Sequence, residues 1–202
     1  MVWITRPGKR ERLVAAAAEL VDRHGVESPT LAQIAQAANV SPGNVYYYFK
    51  TREELLAALV EYRRGEVRAL LSGLDRRRDP RARLKALAET WAASADEVVE
   101  HGCTIGCLAS QLTKTHACLA PSAAGLIEEL LDWSETQFRQ LGHPDARALA
   151  TILLGGIQGA AILASVLQDP DLMRREVRRL DRWVDDLGSV DSRSSSLRVP
   201  DH

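Results

Sequence analysis

The sequence has little that would suit secretion or a membrane. Residues 1 to 12 lack the run of roughly 7 to 15 apolar residues that a signal peptide carries, so we expect a cytoplasmic protein. The most apolar segment, residues 149 to 167, is interrupted by three glycines, a glutamine and a serine. A membrane span needs about 20 predominantly apolar residues. We therefore interpret this segment as a buried helix and predict no membrane partner.

Signatures of catalysis are also missing. The sequence contains no phosphate-binding GxxxxGK, no GxSxG nucleophile turn and no HExxH metal motif, and each of these patterns supplies groups that its chemistry requires. We therefore expect no enzyme activity and no cofactor. No window alternates polar and apolar residues with the period of two that indicates a half-buried strand. The predicted fold class is all-α.

Charge is nearly balanced over the chain, with a net value of −1, which disfavours a general binder of nucleic acids. The distribution is uneven, because residues 1 to 52 carry seven Lys or Arg and four Asp or Glu. This segment is net +3 and the remaining 150 residues are net −4. A modestly basic N-terminal part on an acidic body fits a protein that contacts DNA locally, through a few phosphates.

Residues 30 to 50 form the most informative stretch, with the sequence TLAQIAQAANVSPGNVYYYFK. Thr30 and Gln33 make a capping box, which marks the start of a helix, and apolar residues follow at helical spacing. Asn39 tolerates the left-handed conformation that ends a helix. We therefore expect a turn at Asn39, with Val40 facing inward.

A second helix is predicted directly after this turn. Ser41 is a favourable N-cap, and Pro42 fits the first helical position, where its missing N–H has no role. Two short helices at this spacing predict a helix-turn-helix over about 30 to 50, whose second helix enters the major groove of DNA. An earlier helix over about 9 to 24, with apolar residues at helical spacing, is expected to support it.

The predicted second helix has small residues at its start and then three consecutive tyrosines, Tyr46, Tyr47 and Tyr48. Successive helical residues point about 100° apart, so at least one ring must pack on the core while the others face solvent or DNA. The alternative, a buried helical hairpin, would not need the polar Ser-Pro-Gly-Asn entry. Basic residues flank the start of the next helix, where we expect a phosphate clamp. The predicted contacts to double-stranded operator DNA come from Thr30, Ser41, Pro42, Gly43, Asn44, Tyr46, Tyr47, Lys50 and Arg52.

Three segments of the sequence resemble the DNA-binding domain of the TetR/AcrR family of bacterial transcriptional regulators. They are KRERLVAAAAELVDRHG, TLAQIAQAANVSPGNVYYYF and KTREELLAALV, within residues 9 to 60. The chain departs from the family at Tyr48, where His is usual, and at Pro29, where Thr is frequent. The resemblance implies an N-terminal three-helix helix-turn-helix domain, residues 1–52, and a larger helical effector-binding and dimerisation domain, residues 53–188. The polar, Ser-rich residues 189–202 predict a disordered tail.

The last two predicted helices, over about 145 to 168 and from 170 onward, suggest association. The first is apolar around most of its circumference, so it must be buried on all sides. Packing one face on the protomer and the other on a second copy would achieve this. The pair resembles the dimerising helices of TetR-type regulators, which implies a homodimer. The predicted interface residues are Leu153, Ile157, Ala160, Leu163, Leu180 and Trp183.

By the same resemblance, the segment between these parts holds a pocket for a small-molecule effector. Aromatic and apolar residues with a few polar groups suit such a site. Core packing is the alternative interpretation for each of them. The predicted lining is Trp91, Ile105, Leu108, Gln111, Leu112, Trp133 and Gln158.

The resulting functional prediction is a sequence-specific DNA-binding regulator, a repressor that a small apolar or aromatic ligand releases from its operator. Two alternatives are a DNA-binding regulator without a ligand, and a small-molecule-binding protein that has lost DNA binding. The polar and aromatic composition of residues 41 to 50 favours the classes that bind DNA.

The three cysteines, Cys103, Cys107 and Cys118, leave a thiol- or metal-responsive regulator as a further alternative. Cys103 and Cys107 are four residues apart, with His101 and His116 nearby. This spacing fits no strong zinc pattern, and free cysteines of cytosolic proteins are usually small core residues. We therefore predict no metal site.

Overall fold

The structure, a computed structural model, describes residues 8–187. Within this range the chain forms ten α-helices and no strand, which confirms the all-α fold class. The predicted tail, residues 189–202, lies outside the described residues. The helices are α1 (Lys9–His24), α2 (Leu31–Ala37), α3 (Pro42–Tyr48), α4 (Arg52–Leu74), α5 (Pro80–Ala93), α6 (Ala95–His101), α7 (Thr104–Thr115), α8 (Ala120–Gln140), α9 (Ala146–Leu167) and α10 (Pro170–Leu187).

The predicted start and end of α2 are confirmed. The Gln33 amide donates to Thr30 Oγ1 at 3.2 Å, and the Thr30 amide donates to Gln33 Oε1 at 2.8 Å, so the capping box is complete. Asn39 has a φ of +51°, in the left-handed region. Val40 is buried after this turn, as expected. The helix-turn-helix therefore follows from contacts local in sequence.

The start of α3 differs in one respect from the prediction. Ser41 is the N-cap and Pro42 the first helical residue, but the Ser41 hydroxyl makes no capping hydrogen bond. The Ser41 carbonyl instead accepts from the Asn44 amide at 2.9 Å. The Ser41 side chain is exposed, and capping is not its function here.

The described chain divides into two compact units, and the first comprises residues 8–70 and 100–129. One of its apolar clusters joins α1, α2 and α3 to the start of α4 and fixes the orientation of α3. The main members of this cluster are Leu13, Ile34, Val45, Phe49 and Leu55. The two compact units do not divide at residue 52, the predicted domain boundary. The predicted division into a DNA-binding domain and an effector-binding and dimerisation domain concerns function, and it stays a prediction.

A second apolar cluster in the same unit brings α7 against α1 and α4. It contains a residue of the loop between α1 and α2, Val26, whose side chain is fully buried. Other members of the cluster are Leu59, Leu108, Leu112 and Leu126. The loop that leads into α2 is therefore packed on α7.

The second unit comprises residues 71–99 and 130–187, and in it α10 packs on both α5 and α9. By length and composition, α9 would be able to cross a membrane, with a mean hydropathy of 1.9. Core helices of water-soluble proteins pass the same test. One side of α9, including Leu153, Ile157 and Ala161, is buried within the chain, as expected for a core helix.

Candidate nucleic-acid interface

The first turn of α3 and two of its tyrosines lie on the surface. Ser41, Pro42 and Gly43 are exposed, and a Cβ built on Gly43 would meet no atom within 4 Å. Tyr46 is 58% exposed and Tyr47 is 73% exposed. A short helix with a small N-terminal end and exposed polar and aromatic side chains has the shape and chemistry for entering a DNA groove.

The opposite side of α3 holds it to the protein. Val45 and Phe49 are buried, and Tyr48 is half-buried against the same cluster. The Tyr47 and Tyr48 rings meet edge to face, with centroids 5.0 Å apart. The three tyrosines thus point in different directions, as predicted, and one packs on the core. The exposed pair is presented by a rigidly packed helix.

Lys50 keeps an exposed ammonium beside α3. Its Nζ donates to the Tyr46 carbonyl at 2.8 Å, which satisfies one of the last carbonyls of the helix. An ammonium has three N–H donors, so this bond leaves donors for a phosphate. Lys50 therefore suits the predicted phosphate contact.

Arg52 fits the predicted phosphate contact less well than Lys50 does. Its guanidinium is part-buried and donates to the Pro29 carbonyl at 2.7 Å and to the Val26 carbonyl. Both acceptors belong to the loop between α1 and α2. Two of the five N–H donors of Arg52 therefore hold this loop, a role that the prediction of a phosphate contact did not include.

The N-terminus of α4 is likewise a poor phosphate clamp. The Glu54 carboxylate accepts from the Lys50 amide at 2.7 Å, and the Glu54 amide donates to Thr51 Oγ1 at 3.2 Å. Hydrogen bonds from its own backbone amide and from the Thr51 hydroxyl lower the pKa of Glu53. Two carboxylates therefore already occupy the helix end that was predicted to attract a phosphate.

Four of the residues predicted to line an effector pocket lie in the first unit. Leu108 and Leu112 are buried in the cluster that contains Val26, and Ile105 packs against it. Gln111 Oε1 accepts from the Val26 amide at 2.7 Å. Structural roles inside the chain therefore account for these side chains, and their contact with a ligand stays a prediction.

The other three predicted pocket residues, Trp91, Trp133 and Gln158, lie in the second unit. Trp91 is buried, and the Trp133 indole donates to Asp75 Oδ1 at 2.9 Å. Gln158 Nε2 is buried and has no hydrogen-bond partner among the described residues. Since a buried amide without a partner is costly, Gln158 is the predicted pocket residue whose polar group the chain leaves unsatisfied.

The burial of three side chains contradicts part of the predicted dimer interface. Leu153 and Ile157 have no exposed surface, and Leu180 is 1% exposed, so these side chains form the interior of the second unit and cannot contact a partner. Trp183 is half-buried, with its ring centroid 5.9 Å from that of Phe138. Ala160 is buried but lines a surface groove together with Leu163.

The exposed side of α9 is the apolar surface that the sequence prediction largely missed. Leu163 is 52% exposed and Val166 is 74% exposed. Gly155 and Gly159 lie along the groove that borders this side. The exposed large apolar residues of α9 are Ile152, Ile162, Leu163, Val166 and Leu167. Exposed apolar side chains on one helix are typical of an interaction site.

Cys103 and Cys107 lend no support to a thiol-responsive function, and Cys118 is exposed. Cys103 is buried, and burial together with the nearby Cys103 thiol raises the pKa of Cys107. A raised thiol pKa reduces the fraction of reactive thiolate. Within residues 8–187, no three or more His, Cys, Asp or Glu side chains are grouped so that they could hold a metal ion.

Comparison with known proteins agrees with this geometry. Residues 13–59 match the family described as bacterial regulatory proteins, tetR family. An uncharacterized HTH-type transcriptional regulator of Mycobacterium tuberculosis is 28% identical over 191 residues, which cover 86% of this chain and 94% of that protein. The HTH-type transcriptional regulator BetI of Burkholderia cenocepacia is 38% identical over 94 residues, which cover 44% of this chain and 45% of BetI.

Solved structures share the fold. A TetR transcriptional regulator from Legionella pneumophila has a TM-score of 0.80 at 18% identity, with 91% of this chain and 99% of that chain covered. A TetR family regulator from Agrobacterium tumefaciens has a TM-score of 0.78 at 22% identity, with coverages of 87% and 96%. From the matched domain and this shared fold, we conclude that the chain carries a helix-turn-helix domain of the tetR family of bacterial regulatory proteins and has the fold of TetR family regulators.

Proposed function

We propose that the protein is a homodimeric regulator that inserts α3 into the major groove of a specific operator and represses transcription there. The observation that carries this proposal is the exposed face of α3. Its small first turn allows close approach to base edges, while Phe49 and Val45 fix the helix from behind. Two copies related by a two-fold axis would read two half-sites about one helical turn apart.

Base reading is assigned to Pro42, Gly43, Asn44 and Tyr46, at the start and on the exposed side of α3. An Asn side chain can pair bidentately with adenine, and an apolar ring can contact a thymine methyl group. Phosphate contacts are assigned to the Tyr47 hydroxyl, the Lys50 ammonium and Thr30. These contacts set affinity and register without carrying sequence information.

The test is selection of duplexes from a random-sequence library by the purified wild-type protein. We expect a symmetric site, and we expect Asn44→Ala to relax the preference at one or two base pairs per half-site, by about 1–3 kcal/mol each. Competition assays with single-base variants of the selected duplex measure this loss. A variant that keeps the full wild-type preference would show that Asn44 reads no base, and failure to enrich any sequence would contradict the function itself.

A second copy of the chain is the proposed partner of the exposed side of α9. A membrane is a poorer partner, because the other side of α9 is already buried by the rest of the second unit. Gly155 and Gly159 have open space where a Cβ would lie, so an apolar side chain of the partner can approach the α9 backbone. The homodimer and a cytoplasmic location are thus parts of the proposal.

A small apolar or aromatic effector that releases the operator is also proposed, supported by the unsatisfied Gln158 amide. A ligand acceptor would supply the missing hydrogen bond. Compounds that raise the unfolding temperature would be tested for displacement of the selected duplex. We expect the active compounds to weaken operator affinity about 10- to 100-fold, a coupling of roughly 1–3 kcal/mol.

Reciprocity sharpens this prediction, because the operator must weaken effector binding by the same factor. Gln158→Leu removes the donor and is expected to weaken binding of these compounds without changing operator affinity in their absence. Equal compound affinities with and without the selected duplex would show that the bound molecule is not an inducer.

A further inference from the structure

The loop between α1 and α2 is held from two sides at a single residue, Val26. Its amide donates to Gln111 Oε1 of α7 at 2.7 Å. Its carbonyl accepts from the Arg52 guanidinium at the start of α4. Its side chain is fully buried. Both backbone polar groups and the side chain of Val26 are therefore fixed by other elements of the first unit.

The residues on either side of Val26 also lie close to α7 and to the residue that follows it. Gly25 ends α1 with a φ of +79°, and a Cβ added there would lie 3.0 Å from Gln111 Oε1. A glycine is thus required both by the backbone conformation and by the approach of Gln111. His116 Nδ1, just beyond α7, lies 3.5 Å from the Glu27 carboxylate. Arg52 makes its second hydrogen bond to the Pro29 carbonyl, at 2.7 Å.

The loop leads directly into the DNA-reading elements. Pro29 precedes Thr30, the N-cap of α2. α2 packs on α3, and both belong to the apolar cluster that orients the recognition surface. A shift of the loop therefore changes the start of α2 and the position of α3. Because α7 holds the loop through Gln111, a movement of α7 reaches α3 without passing along α4.

We propose that Gln111 and Arg52 are positioning residues for DNA binding, and that the bond from Gln111 to Val26 couples α7 to the recognition surface. This inference rests on the proposed DNA-binding function and deepens it. Both side chains bond to the backbone of the loop between α1 and α2. Gln111 supplies an acceptor to a buried amide, and Arg52 supplies donors to two loop carbonyls, so both act by fixing the geometry that α3 presents.

Variants at position 111 test the coupling on the duplex selected by the wild-type protein. Gln111→Met keeps an unbranched side chain but removes the acceptor, and we expect about a tenfold loss of affinity, since a buried donor loses its partner. Gln111→Glu keeps an acceptor oxygen and should restore affinity to within about twofold. Thr113→Val is the control on the same helix, since the Thr113 hydroxyl bonds within α7, to the Ala109 carbonyl at 2.8 Å, and it should leave affinity unchanged.

Hydrogen exchange distinguishes coupling from a general loss of stability. In the wild type, the duplex should slow amide exchange at Val26 and in α7 as well as in α2 and α3. In Gln111→Met the slowing should be confined to α2 and α3. An α7 response that persists in Gln111→Met, or that is absent in the wild type bound to its duplex, would overturn the inference. A wild-type protein that selects no duplex would instead refute the proposed function.

Salt dependence separates the two roles of Arg52. If Arg52 positions the loop, Arg52→Gln weakens binding but leaves the slope of log affinity against log salt unchanged. If Arg52 contacts a phosphate, the negative slope becomes shallower by about 0.9 in Arg52→Gln. Gln111→Met, which changes no charge, is the matched comparison and should give the wild-type slope. A fall of the slope in Arg52→Gln alone would return Arg52 to the DNA interface and remove it from the inference.

Discussion

Replacing Leu163 by arginine is expected to give a folded monomer that binds the operator about 10²- to 10⁴-fold more weakly than the wild type. Leu163 is 52% exposed on the apolar side of α9, so the longer polar side chain is accommodated in the free protomer. At the proposed interface the arginine of each copy would be buried without a partner and would lose hydration. A monomer loses this affinity because the two linked heads of a dimer bind two half-sites together, which strengthens binding about 10²- to 10⁴-fold over independent binding.

Sedimentation and duplex titration measure the two expected changes. Thr136→Arg serves as the control, because it adds the same side chain at an exposed position of α8. The Thr136 hydroxyl that it removes bonds within the same helix, to the Asp132 carbonyl. Ile157→Arg should behave differently from both, since Ile157 has no exposed surface and an unpaired charge there disrupts the core. If Leu163→Arg remained a dimer with wild-type affinity, the interface would lie elsewhere.

The helix-turn-helix was predictable because its determinants are local in sequence. The Thr30 capping box, the left-handed Asn39 and Pro42 at the first position of α3 each depend on residues within about four positions. The spacing of apolar residues along a helix and the residue preferences at helix ends apply directly to such features. The same rules predicted that three successive tyrosines diverge, and the structure shows Tyr48 on the core with Tyr46 and Tyr47 outside.

These local rules do not predict contacts between residues that are far apart in sequence. Gln111 was predicted as a pocket residue from its type and region, whereas it binds a backbone amide 85 positions away. Arg52 was predicted to bind phosphate because it is basic and adjacent to a helix N-terminus, but it binds carbonyls 23 and 26 positions earlier. Charge and position along the chain do not reveal which acceptor a folded chain brings within reach.

The prediction for three of the dimer residues, Leu153, Ile157 and Leu180, is wrong for a different reason. A helix that is apolar around its whole circumference has no pattern that separates its inward side from its outward side. The choice of Leu153 and Ile157 rested on no directional signal, and both are core residues. The packing of α10 and α5 decides which side of α9 remains exposed. The sequence pattern thus predicts the helix but not which of its sides forms the exposed surface.

Replacing Gly43 by glutamate is expected to leave the fold intact and reduce operator affinity by about 100-fold or more. A Cβ at Gly43 meets no atom within 4 Å, so the free protein has room for the side chain. A carboxylate in the first turn of a helix is favourable, and any residue other than proline improves on the helix propensity of glycine. The unfolding temperature should therefore stay the same or rise slightly.

The loss of binding has a local electrostatic cause. In the proposed complex the first turn of α3 lies in the major groove, where a new carboxylate faces acceptor groups and phosphates. Like charges brought together cost several kcal/mol.

Gly65→Glu is the matched control. Gly65 is an exposed glycine of α4 that also has open space around it, so the change in charge is the same and a helical glycine is again replaced. An exposed charge more than about 8 Å from the DNA is largely screened at physiological salt, and Gly65→Glu should bind the duplex within about twofold of the wild type. Equal losses in the two variants would show that net charge alone governs binding and that α3 is not the reading helix; a loss confined to Gly43→Glu places the DNA against the first turn of α3.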